Sequence, residues 1–379
     1  MGRMSSYTLG RRPQLDGLRG VAVLLVMLTH TKVLPWGYVG LDVFFVLSGF
    51  LITTLLYEEG ARSGRIDLRR FYARRARRLL PALAVLLTAY AAVRLGTDLL
   101  GGHWSLRHQL LTTLLFANNW VVAAGRDSVL GALSPTWSLA EEEQFYVLWP
   151  VVVWGLLRLR RPRIRPRLRL PLRVLALLAV TLTVIAALLL LVPHTPPGAW
   201  AHSHRQGYFD PFNRATELLL GCATALLWRL RPVALPGAAQ LPLLLAAFTL
   251  AWHFDGFRKD ESVRWAAALA ALALLTTLAV EHGTLTRLLK LRPLRYAGRI
   301  SYGLYLYHWP LATMVGQLFP WLPRPAYVLA TFALSFALAA ASWHFLESRF
   351  LHSRKPEQPA APPTLPAPQR YRERVSSGS

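Results

Sequence analysis

The sequence predicts an all-α integral membrane protein, a bundle of about ten transmembrane helices with one re-entrant or outer-face segment. Three observations carry this. Of the 379 residues, 54% are hydrophobic, and the mean hydropathy is +0.33. The apolar residues fall into runs close to the ~20 residues needed to cross about 30 Å of hydrocarbon. The basic residues behind a formal net charge of +24 cluster in short connectors between those runs. Such clustering satisfies the positive-inside rule, so the charge calls for no nucleic-acid partner. The single cysteine, Cys222, excludes an internal disulfide and a cysteine metal cluster, and no metal site is expected.

The expected spans are 17–36, 39–58, 79–101, 133–157, 171–192, 212–230, 237–254, 263–281, 298–319 and 326–347. Both termini then lie in the cytoplasm, and the arginine-rich stretches 62–78 and 158–173 lie on that side. The first run has no small-residue cleavage site and a second span follows at once, so it is read as retained rather than as a signal peptide. It carries Arg19 and His30, eleven residues apart. At about 100° per residue both point the same way, roughly 16 Å apart along the axis. Asp42 falls near the outer start of the second span.

Residues 62–81, RSGRIDLRRFYARRARRLLP, read as an amphipathic helix leading into the third span. A basic helix lying on anionic lipid is the bland reading. The density of arginine suits a phosphate clamp better, with Arg75 and Arg78 on one face and Arg74 beside them. Residues 106–124 are apolar enough to span. Counting them would turn Arg158–Arg173 outward, so they are assigned to the re-entrant or outer-face segment. The stretch 158–173 is a topology anchor. His194, His202 and His204 in loop 194–210 lack partners at ligand spacing. The sequence divides into a membrane domain at 1–348 and a basic, Pro-rich disordered tail at 349–379.

Ionisable groups inside spans are costly and mark function. His30 is placed roughly 9 Å below the outer face, Glu142 roughly 13 Å, and His308 near the middle of its span, at about 1.5 Å per residue. A histidine held by a carboxylate can act as a general base toward a hydroxyl. Alone, His30 could equally bond a neighbouring carbonyl and hold the bundle together, or relay protons in a transporter.

The blocks LDGLRGVAVLLVMLTH, GLDVFFVLSGFLI, FYARRARRLLP, TWSLAEEEQFYVLWP, FNRATELLLG and ISYGLYLYHWPL resemble, in order, those of the acyltransferase-3 family of integral-membrane O-acyltransferases. The resemblance covers residues 13–350. It implies transfer of a short acyl group, acetyl above all, from an acyl-CoA co-substrate to a hydroxyl of a sugar, glycan or glycosylated small molecule such as a macrolide. No permanently bound cofactor is implied. His30 would be the base, with Arg19 on its stripe and Glu142 as its partner, Glu143 being the runner-up. Glu141 departs from the family pattern, where a small or apolar residue is usual. Arg74, Arg75 and Arg78 would hold coenzyme A phosphates. Asp42, Ser48 and Gly49 match the second-span motif, and Ser48 and Gly49 are read as packing residues. Tyr307 and His308 are candidates for stabilising the oxyanion. The resemblance also implies a stand-alone member, without a fused extracytoplasmic hydrolase-like domain, in a bacterial cytoplasmic membrane. The competing class is a proton-coupled transporter using the same midplane His and Glu.

Overall fold

The computed structural model describes residues 9–10, 12–158, 176–182, 184–185, 206–230, 234–255 and 262–352. Within them every regular element is helical. The long helices are α1 (Pro13–His30), α2 (Val39–Ser63), α3 (Leu68–Gly96), α4 (Trp137–Arg158), α5 (Pro211–Leu230), α6 (Gln240–Asp255), α7 (Ser262–Ala279), α8 (Ser301–Leu318) and α9 (Arg324–Ser342). Each overlaps one of the expected spans, and most of the fifth expected span falls outside the described residues. So do most of linker 158–173, the histidines of loop 194–210 and the tail from 353. The chain stays helical through Ser348–His352, past the expected tail boundary at 349.

Among the described residues, three helices are long and apolar enough to cross a membrane: Val39–Ser63, Leu68–Gly96 and Arg324–Leu351. Helices α1, α4 and α5 carry charged residues along their length and α8 carries polar ones. They bring these groups into the bundle, which lowers their apolarity. The number of spans read from the sequence therefore exceeds what length and apolarity alone support.

Three boundaries differ from expectation. Helix α1 stops at His30, not at 36. The chain turns there, with Lys32 at φ 58° and the Thr31 hydroxyl donating to Met27 O over 2.9 Å. His30 is thus the last residue of its helix rather than a mid-helix residue. Of the expected basic helix 62–81, Arg62 and Ser63 instead end α2 at the Gly64 cap, and the part from Leu68 fuses with the third span into one 29-residue helix, about 43 Å long. Asp67 caps it by accepting from Arg70 N at 2.9 Å, and Pro81 does not end it. Residues 106–124 break at Phe116, φ 52°, into Leu106–Leu114 and Asn118–Ala123. At nine and six residues, neither piece can cross a bilayer core.

Helices α2 and α5 pack backbone to backbone. A Cβ on Gly49 would lie 1.9 Å from Leu218 O, and one on Gly221 would lie 2.0 Å from Val46 O. Small residues allow this approach, as the sequence suggested for Gly49. Gly49→Ala should cost about 1–3 kcal/mol, because neither backbone can yield. Thermal unfolding in detergent checks this, with Gly155→Ala as control, since a Cβ there meets nothing within 4 Å. Equal melting temperatures for the two variants would refute the tight contact.

Candidate active site

Helices α1 and α8 bring His30 and His308 together. The rings lie nearly coplanar, with centroids 4.9 Å apart and planes at 12°, and His30 Nδ1 lies 2.7 Å from His308 Nε2. The protons can be placed by elimination. His308 Nδ1 faces two backbone carbonyls, Tyr305 O at 2.8 Å and Leu304 O at 3.0 Å. Carbonyls only accept, so this nitrogen carries the proton and Nε2 is a bare acceptor. His30 Nδ1–H then donates to it, which leaves His30 Nε2 with a free lone pair. Trp309 flanks the pair, its ring centroid 4.9 Å from that of His30. His308 is buried, whereas His30 keeps part of its surface open.

The histidine partner is therefore His308, not Glu142. The Ser48 hydroxyl donates to Glu142 Oε1 over 2.5 Å, so Ser48 does more than permit packing. Arg75 stands 3.7 Å from the same oxygen. Its Nε donates to Glu143 Oε2 at 2.9 Å, its Nη2 donates to Glu143 Oε1, and its guanidinium lies 3.1 Å over the Tyr146 ring. Glu143 thus holds Arg75, not His30. Glu141 accepts from Asn119 at 3.0 Å. Tyr307 faces away from the pair, its hydroxyl 3.2 Å from Ala82 O and 3.0 Å from the Ser342 hydroxyl.

Ser48, Arg75, Glu142 and Tyr146 border a cavity of about 820 Å³. Arg19, Arg74, Arg75, Arg78, Ser48 and Glu142 line it, with Arg62, Arg65 and Arg70 at its basic end. Arg74 pairs with Glu59 at 3.3 Å, and Arg19 Nε is buried without a hydrogen-bond partner. Among the described residues, Arg19, Arg62, Arg65, Arg70 and Arg78 line the cavity without an ion pair. The opposite end is apolar, walled by Leu41, Phe44 and Phe45. Neither His30 nor His308 lines this space. Among the described residues no three metal-ligating side chains gather.

Asp42 is engaged elsewhere. Arg214 Nη1 donates to Asp42 Oδ1 at 2.7 Å and to Glu217 Oε1 at 2.5 Å, and its Nε donates to Tyr208 O at 2.7 Å. All three charged side chains are fully buried. Sequence reasoning missed this triad, although the block FNRATELLLG contains two of its members. It also missed Tyr305, whose ring centroid lies 5.7 Å from that of His308. Its spacing of three before His308 on one helix was the available signal.

Apolar helices enclosing ionisable side chains define a multi-pass helical membrane protein. The chain belongs to the acyltransferase-3 family, whose model, an acyltransferase domain, matches residues 12–344. Its relatives include peptidoglycan O-acetyltransferase OatA of Listeria monocytogenes, 29% identical over 92% of this chain and 57% of the relative. The putative peptidoglycan O-acetyltransferase YrhL of Bacillus subtilis is 32% identical over 88% and 54%. O-acetyltransferase OatA of Staphylococcus aureus is 29% identical over 89% and 56%. The chain thus spans just over half the length of these relatives. No solved structure matches it.

Proposed function

We propose that this chain is a membrane O-acyltransferase that moves an acetyl or other short acyl group from acyl-CoA to a hydroxyl of a sugar-containing acceptor. The observation that carries the reading is the lone pair left on His30 Nε2 by the His30–His308 hydrogen bond. A base must have its accepting atom free and its other nitrogen fixed. Both conditions hold here without a carboxylate.

The cavity suits the donor. Its basic end offers guanidinium forks to phosphate, and its apolar end suits a thioester carrying a small acyl group. In the transfer, the acceptor oxygen bonds the acyl carbon as its proton passes to His30 Nε2. The C–S bond breaks, and the thiolate leaves and takes up that proton. Arg78 lines the cavity without an ion pair among the described residues and is a phosphate ligand in this reading, while Arg74 and Arg75 contribute through their pairs with Glu59 and Glu143. Arg19, on the stripe of His30, adds positive potential within the cavity. The names of the relatives favour a peptidoglycan sugar as acceptor over a glycosylated small molecule. The positive-inside rule supports about ten spans in a bacterial cytoplasmic membrane, with the arginine mouth and both termini in the cytoplasm.

The test is release of free thiol from acetyl-CoA by the purified protein with peptidoglycan fragments present. Wild type should release it and His30→Ala should not. No release from any acyl-CoA by folded wild type would refute the donor and favour a transporter. Arg78→Gln should raise KM for acetyl-CoA by about 10- to 100-fold, the worth of one charge-assisted hydrogen bond, with a smaller change in kcat. An unchanged KM would remove Arg78 from the donor site.

A further inference from the structure

We infer that Tyr305 sets the size of the acyl group this chain transfers, an inference that rests on the acyl-CoA reading above. The cavity follows α2 from Ser63 to Leu41, twenty-two positions or about 33 Å. A long donor entering by its arginine-lined end meets Leu41, Phe44, Phe45 and Tyr305 at the other. Leu41, Phe45 and Tyr305 belong to one packed cluster.

Tyr305 connects the cavity to the histidine pair. Ser301, Tyr305 and His308 fall at i, i+4 and i+7 on one face of α8. The first two line the cavity, and the third lies about 4.5 Å further along the axis than Tyr305. Tyr305 lines the cavity and also stacks at a tilt against His308. An acyl carbon that comes within reach of the base must share its space with this ring.

The ring is not free to adapt. Its hydroxyl donates to Pro135 O at 2.7 Å and bonds the Ser138 hydroxyl, both at the approach to α4. Pro135 O has no proton to give, so Tyr305 supplies its own there and Ser138 donates to Tyr305. A ring held at its far end by two bonds is a fixed wall. An acetyl group leaves it undisturbed, whereas each added methylene presses on it.

The experiment measures thiol release from acetyl-, propionyl- and butyryl-CoA by the full chain with peptidoglycan fragments as acceptor. One methylene in such a pocket is worth about 10- to 200-fold, so wild type should prefer acetyl to propionyl within that range. Tyr305→Ala should raise the butyryl-to-acetyl ratio of kcat/KM at least about 10-fold, by the same scale. Tyr305→Phe and Ser138→Ala keep a ring but loosen it, and should move the ratio in the same direction by less. An unchanged ratio in Tyr305→Ala overturns the assignment to Tyr305 while leaving the donor reading intact. If Tyr305→Ala releases thiol from no donor, the ratio is read on the two milder variants, and no shift in either overturns the proposal. Absence of thiol release by wild type from every donor fails the acyl-CoA reading itself, and the proposal with it.

Discussion

His308→Ala lowers kcat for acyl transfer by about 10²- to 10⁴-fold, the usual worth of one general base, although His308 need not touch the substrate. The reason is the proton chain. With His308 gone, no other acceptor among the described residues directs the proton of His30 to Nδ1, and the ring can present N–H where the lone pair was needed. His30→Ala falls in the same range, and the double variant is no slower than the slower single one, because the two act as a unit. His308→Gln separates positioning from packing. Its amide oxygen can accept from His30 Nδ1–H, so it should recover part of the loss, while His308→Leu should not. The measurement is initial rate at saturating donor and acceptor on variants shown to be folded. A His308→Leu enzyme with wild-type kcat would refute the dyad.

The sequence located the chemistry along each helix but not between helices. Spacing put Arg19 and His30 on one stripe, and depth put His308 and Glu142 near the same level. It could not tell which of the two His30 meets, because helix rotation and packing decide that. Glu142 was the natural choice, since a carboxylate is the commoner histidine partner. The structure gives Glu142 to Ser48 and Arg75 instead. Hydropathy also extended α1 to 36, because Val33, Leu34 and Trp36 are apolar. The break falls at Lys32, while the turn residues that signal it, Pro35 and Gly37, lie three and five positions later, so the helix end was read too late. The same limit applies at 106–124, where charge placement succeeded and hydropathy alone would have failed. Phe116 adopts positive φ without any residue that announces it. Tyr305 was passed over because a tyrosine on an apolar helix face ordinarily reads as core. Its role depends on a cavity that the sequence does not display.

Arg214→Met destabilises the fold by about 3–5 kcal/mol, more than the loss of any single apolar contact near it would explain. Arg214 reaches α2 through Asp42 and bonds Glu217 on its own helix, with the Tyr208 ring 4.0 Å from its guanidinium carbon. Removing the arginine leaves two carboxylates without their cation, in a place water does not reach. Arg214→Lys should rescue little, since one ammonium cannot reproduce a fork that serves two carboxylates and Tyr208 O together. The informative variant changes all three residues: Arg214→Met, Asp42→Asn and Glu217→Gln. It removes every formal charge at once, and a neutralised buried network can match the stability of the charged one. Unfolding of each variant in detergent, followed by thermal aggregation, orders them as triple variant above Arg214→Lys and Arg214→Met. A triple variant less stable than Arg214→Met would mean that the pairing itself, rather than relief of isolated charge, holds α2 to α5. Asp42 would then be indispensable to the packing that also brings Gly49 onto Leu218.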